Sequence, residues 1–267
     1  MKYKNKNFIF KATVIILLFI LVLNGRIAEP FLRIMGKTTR KKGKDTYKYS
    51  IPILMYHSIS DNKNGFFVVD KNNFRKQMKY IKDNGYETLT LDQVYYHILQ
   101  DKPFPDKSVV ITFDDGYKDN YVNAYPVLKE FDLKATIFVV ADYITNGSST
   151  IYSSLKELRE MNENGIDIQC HTSSHKKLDK LSYSEQLQDL GLAKEKIENL
   201  INNNVKFLAY PYGRYNNDTI KAAKKLGYEM AVTTHMGYCN ANEESFKVRR
   251  ICIPGFTGMN IFKRILY

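Results

Sequence analysis

The chain has 267 residues and a formal net charge of +12, from 40 lysines and arginines against 28 aspartates and glutamates. Residues 1–50 hold 12 of those cations and 2 of the acids, which leaves 28 against 26 in the rest. A basic groove for nucleic acid is therefore excluded, no glycine-rich phosphate loop supports nucleotide binding, and the length suits one α/β barrel.

Lys2, Lys4, Lys6 and Lys11 lead into an unbroken apolar run, Ala12 to Leu23. A positive start followed by such a run reads as an export signal. The sequence after it, "NGRIAEP", offers no convincing small-x-small cleavage site, which favours an uncleaved anchor over a removed signal peptide. Residues 1–28 are thus expected to be a signal-anchor or signal peptide and 29–48 a basic linker. Residues 49–267 are expected to form a domain outside the cytoplasmic membrane. The basic arm suits anionic lipid or an anionic cell-wall polymer. Cys170, Cys239 and Cys252 form no paired framework and read as small buried side chains.

From Tyr49 onward short β-rich runs alternate with helical periodicity. Strands are expected at 51–57, 87–91, 108–113, 134–140, 166–171, 205–210, 229–234 and 247–253. Helices are expected at 72–85, 91–100, near 118–131, near 152–163, after a Ser182/Glu185 capping box, and at 218–227. Strands separated by helices imply βαβ units and a parallel sheet. Seven or eight of them in this length fit a closed or nearly closed barrel, whose chemistry gathers at the C-terminal strand ends.

At those ends stand His57, Asp114-Asp115-Gly116, His171 and His175 in "HTSSH", and the "YPYG" stretch from Tyr210 to Gly213. The last strand carries Arg249 and Arg250. Two histidines four apart can face one way on a helical turn and, with a carboxylate, hold a metal ion with a position left for water. A surface or capping pair would leave the same H-x-x-x-H pattern, and Asp-Asp-Gly is also a common turn. Together at two strand ends they point to a metal site. Adjacent carboxylates repel, but a cation on one leaves the other ionised as a base.

"TFDDG", "HTSSH" and "YPYG" in this order, with "PILMYHSI" upstream, resemble the NodB-type polysaccharide deacetylases (carbohydrate esterase family 4) over about residues 51–255. The resemblance implies an irregular (β/α)7 barrel. It makes Asp114 the general base and gives Asp115, His171 and His175 to a divalent metal, usually Zn2+, with Co2+ as a substitute. It also has Tyr212 lend its backbone N–H to the oxyanion.

The chain departs from the family pattern in two places. The late leucine-x-histidine motif that supplies the acid is missing, and Ala209 stands where an arginine often orients the base. His57 is the candidate acid, with His235 a weaker one. Arg250 is the candidate replacement for the arginine, because neighbours on a strand point opposite ways and Arg249 then faces out. Tyr117, Tyr210, Tyr212 and Tyr215 are candidates to line a sugar cleft.

The implied activity is removal of N-acetyl groups from a cell-surface N-acetylglucosamine polymer, either peptidoglycan or poly-N-acetylglucosamine. An acetylxylan-type esterase, a non-catalytic glycan-binding module and an iron(II) facial triad are the alternatives.

Overall fold

The computed structural model describes residues 49–266 apart from 63, 64 and 148. The membrane segment expected at 1–28 and the linker at 29–48 lie outside the described residues. Among the described residues no helix is long and apolar enough to cross a membrane.

The chain begins with β1 (Ser50–Ile51), β2 (Ile53–Tyr56), β3 (Ser58–Ile59) and β4 (Val68–Val69), followed by α1 (Lys71–Asp83). Then come β5 (Glu87–Thr88), α2 (Leu91–Leu99), β6 (Ser108–Phe113), α3 (Tyr125–Phe131) and β7 (Thr136–Val139). α4 (Leu155–Glu163), β8 (Asp167–Cys170), α5 (Tyr183–Ile201), β9 (Phe207–Ala209) and α6 (Asn217–Lys225) follow. The chain closes with β10 (Met230–Met236), β11 (Cys239–Asn240), β12 (Val248–Cys252) and α7 (Met259–Ile265).

The strands β2, β12, β10, β9, β8, β7 and β6 pair in that order, all in parallel, and β2 pairs with β6 to shut the ring. This is the expected irregular (β/α)7 barrel, with β5 added in parallel along the first residues of β6. All six residues of β6 are buried, as a strand covered on both faces requires. Ile53, Val110, Phe138, Ala209 and Val232 of the ring form one apolar cluster with Leu91, Val94 and Ile98 of α2. Capping boxes start α2 at Thr90, α4 at Ser154, α5 at Ser182 and α6 at Asn216, so local chemistry fixes where the outer helices begin.

The helix expected near 118–131 forms over those residues, with a wide π-turn, Asn120–Ala124, set into it ahead of α3. Pro126 in the first turn of α3 has no N–H to give to a continuous ladder, and the polar side chains of the π-turn bond elsewhere, as described below. α7 had no counterpart in the sequence reading, because only Phe262 and Ile265 of its seven residues are buried, too few to show a period. The three cysteines are free and buried, as expected.

Candidate active site

β6 delivers Asp114 to the barrel mouth, and its N–H donates to the Tyr56 carbonyl at 3.0 Å, extending the β2–β6 ladder by one bond. The chain then turns through Asp115 (φ 74) and Gly116 (φ 69). A Cβ on Gly116 would lie 3.0 Å from Val139 Cγ1, so that close turn favours glycine. The two carboxylates consequently diverge, Asp114 inward and Asp115 toward β8.

Asp114 is buried against fully buried Arg250, whose Nη1 and Nη2 donate to its two oxygens at 2.7 and 2.6 Å. The same guanidinium donates through Nε to the Thr233 carbonyl at 3.0 Å and through Nη1 to Thr112 Oγ1 at 3.1 Å. A register jump lies just there: Val232 and Met236 of β10 face Val248 and Arg250 of β12. Burial pushes the Asp114 carboxyl up, but the Arg250 charge and its hydrogen bonds outweigh this and hold it below the usual carboxylate value. Arg249 points the other way and donates through Nε to Glu243 at 2.8 Å.

Asp115 Oδ1 stands 3.3 Å from His171 Nε2 and 3.2 Å from His175 Nε2. The ligating atoms of the three residues all lie within 4.8 Å of one another. His171 Nδ1 is 2.7 Å from the Ala209 carbonyl, a bond in which it is the donor and which leaves Nε2 free to face Asp115. Metal-binding histidines are commonly fixed by such an outer bond. Burial pushes Asp115 up and His171 down, yet their mutual hydrogen bond prevails, lowering Asp115 and raising His171. Two nitrogens and a carboxylate oxygen at this spacing fit a divalent ion.

The "HTSSH" segment is not the helical turn expected. Thr172 and His175 both have positive φ, 68 and 55, and His175 N–H donates to Thr172 Oγ1 at 3.0 Å. Short polar side chains offered the backbone a tighter local bond than a helix would. Asp189 of α5 pins the loop by accepting from Ser173 N–H at 3.0 Å and from the Ser174 hydroxyl. The sequence carried no signal for that residue beyond its place on a capped helix.

His57 follows β2, and its ring lies 4.4 Å from that of Phe67. Burial lowers its pKa, while Asp114 and Asp115 act in the opposite sense. Asn120 Nδ2 donates to the His57 carbonyl at 2.7 Å. Asp119 accepts from Ser58 Oγ at 2.5 Å and from Ile59 N–H at 3.1 Å, and Asn123 Nδ2 donates to the Ile59 carbonyl at 2.7 Å. The π-turn therefore fastens the segment that carries His57. Sequence reading missed this set, although "KDNYVN" holds three polar side chains at positions i, i+1 and i+4.

Tyr212, on a 3-10 turn after β9, has φ 59, and its exposed ring lies 4.8 Å from that of His175. Gly213 follows with φ 65, and a Cβ there would fall 2.0 Å from Thr234 Oγ1. Tyr210 is not a cleft residue: it is fully buried, and its hydroxyl donates to the Phe246 carbonyl at 3.1 Å. Tyr215 stacks on Tyr210 at 4.6 Å, and His235 is exposed beside Tyr215, its ring 6.2 Å away. Tyr117 stacks with Tyr152 at 5.6 Å.

Residues 101–231 match the family profile described as polysaccharide deacetylase. YxkH of Bacillus subtilis (strain 168) is 40% identical over 209 residues, covering 78% of this chain and 73% of YxkH. The chain belongs to the polysaccharide deacetylase family. It is also similar to the poly-beta-1,6-N-acetyl-D-glucosamine N-deacetylase of Staphylococcus aureus (strain MSSA476), at 29% identity over 223 residues, 79% of this chain and 76% of that one. Among solved structures, the Streptococcus pyogenes deacetylase PplD in complex with acetate superposes with a TM-score of 0.76 at 33% identity, covering 82% of this chain and 98% of that one. The protein is accordingly a polysaccharide deacetylase, an amide hydrolase, with its Asp-His-His cluster at the barrel mouth.

Proposed function

We propose that this deacetylase removes N-acetyl groups from a cell-surface N-acetylglucosamine polymer, peptidoglycan or poly-N-acetylglucosamine. Water adds to the acetamide carbonyl and the carbon–nitrogen bond breaks, giving acetate and a free sugar amine. The observation that carries this is the convergence of Asp115, His171 and His175 on one point beside Asp114, a carboxylate that Arg250 keeps ionised. Those three residues would hold a divalent ion, zinc by the nature of its donors, which when bound supplies Lewis acidity to the carbonyl and to water.

Asp114, oriented by Arg250 and lowered in pKa, takes the proton of the attacking water as general base. The Tyr212 N–H, carried on a turn that only glycine at 213 permits, donates to the developing oxyanion. His57 hands to the departing amine the proton that Asp114 took from water, so both groups end as they began; burial lowers the His57 pKa, so it does not retain that proton. The name of the Staphylococcus aureus relative supports the choice of polymer. The apolar run at 12–23 after four lysines supports a membrane anchor with the domain outside.

The test is acetate release from N-acetylglucosamine oligomers and from peptidoglycan. The protein is assayed as purified, after chelation, after zinc or cobalt is restored, and as Asp114→Asn. Release should vanish on chelation, return with metal, and fall by about 10²–10⁴ in Asp114→Asn, the range a general base supplies. Chelator-insensitive release, or full activity in Asp114→Asn, would refute the assignment.

A further inference from the structure

Phe66, Phe67 and Phe256 are 55%, 46% and 38% exposed, and Phe66 touches the other two. The Phe66 ring lies 4.9 Å from that of Phe67 and 5.7 Å from that of Phe256, steeply tilted to both. Contiguous exposed aromatic surface of this kind marks a binding area.

The backbone presents these rings in a fixed arrangement. β3 and β4 pair in parallel, Ser58 N–H donates to the Phe67 carbonyl at 3.3 Å, and Gly255 N–H donates to the Phe66 carbonyl at 2.9 Å. A Cβ on Gly255 would lie 2.3 Å from the Val68 carbonyl oxygen. Only glycine there lets the segment that carries Phe256 approach Phe66. A platform built this way spends little ordering entropy when something binds to it.

Its inner edge is at the candidate active site, since Phe67 lies against His57 at 4.4 Å with the rings inclined by 31°. Among the described residues its charged neighbours do not form a cationic rim: Asp61 pairs with Lys71 at 2.5 Å, and Asp70 caps α1. Anionic lipid therefore has little electrostatic reason to bind here. A pyranose ring does suit the site, because its face of C–H groups can lie on a phenyl ring while its hydroxyls stay in water.

We infer that Phe66 and Phe256 form a shelf for the sugar unit next to the one being deacetylated, continuous through Phe67 with His57. The inference rests on the N-acetylglucosamine polymer proposed above. It makes the shelf the element that favours a polymer over a short oligomer.

The test compares the full chain with Phe66→Ala, Phe256→Ala and the double variant on N-acetylglucosamine dimers and pentamers. KM for the pentamer should rise about tenfold while kcat falls less than twofold, and the preference for pentamer over dimer should disappear. Phe66→Tyr, which keeps the ring, should restore the pentamer KM. Unchanged pentamer KM overturns the shelf, and so does a fall in kcat alone, which would mean that the rings only support His57. Loss of binding to phosphatidylglycerol vesicles with oligomer KM unchanged also overturns it, in favour of a lipid-facing patch. Pentamer binding is measured by calorimetry in the Asp114→Asn background as well, independent of turnover. Binding that Phe66→Ala and Phe256→Ala weaken supports the shelf even if no acetate is released, the result that would defeat the functional reading alone. No binding by the parent chain overturns the shelf.

Discussion

Arg250 and Asp114 are the most tightly bound charges in the site. Neither is exposed, and the guanidinium makes four hydrogen bonds, two to the carboxylate and one each to Thr233 and Thr112. A buried pair of this geometry gains little over an apolar pair, but removing one partner strands the other charge. Arg250→Ala should therefore cost about 3–5 kcal/mol in urea unfolding and reduce acetate release at least as far as Asp114→Asn does. Arg250→Lys, which cannot make the two-pronged bond, should retain only part of the stability and activity. Stability within about 1 kcal/mol of the parent in Arg250→Ala would show that Asp114 is not held as described. The strand alternation that separates Arg250 from Arg249 was legible in the sequence, because it needs only a period of two. The left-handed Thr172 and His175 were not, since the bond that fixes them joins two residues inside a five-residue loop. Gly213 offers a second check at this scale. Gly213→Ala would set a Cβ on Thr234 Oγ1 at positive φ, so its unfolding midpoint should fall by several degrees, with part recovered in the Gly213→Ala/Thr234→Ala double variant.

Elements were legible where their signals are local. β6 runs from Ser108 to Phe113 as read, and the capping box at Ser182 opens α5. The π-turn and the β3–β4 pair depend on side chains reaching across the fold, from Asp119 to Ser58 and from Asn123 to Ile59, and no period records that. β8 carries a comparable long-range feature at its first residue. Asp167 accepts from Gln169 Nε2 at 2.8 Å and from Thr136 Oγ1 at 3.2 Å, and burial pushes its carboxyl up to about 6. An unfolded aspartate titrates near about 3.9, so between these values the folded chain binds more protons than the unfolded one. Stability from this group is then fully present below about pH 4 and lost as pH rises through about 6. Asp167→Asn removes the charge while its amide oxygen still accepts from Gln169 Nε2 and its amide nitrogen donates to Thr136 Oγ1. It should raise stability at pH 7 by about 1–2 kcal/mol and flatten the pH 4–6 slope of the unfolding free energy. An unaltered slope would place the titration elsewhere.

At the scale of the whole molecule the barrel gathers the site from distant points of the chain. Ring closure by β2 and β6 brings His57 and Asp114 together, while β8, β9 and β12 add His171, Tyr212 and Arg250 from points up to 193 positions apart in the sequence. The order of motifs along the chain could be read directly, but their convergence follows only from the closed ring. The charge is divided sharply. Residues 29–48 hold seven cations against two acids, whereas the chain from Tyr49 onward is close to balanced. A cation near an anionic bilayer contributes about 1 kcal/mol, and salt shortens its reach. A protein from residue 29 should bind phosphatidylglycerol vesicles at low salt at least tenfold more tightly than one from residue 49. The difference should vanish at about 0.5 M salt, where the screening length shrinks to a few ångströms, and it should be absent on uncharged vesicles. Co-sedimentation across a salt series measures it. Equal binding by the two proteins would show that residues 29–48 add nothing to the affinity for anionic lipid.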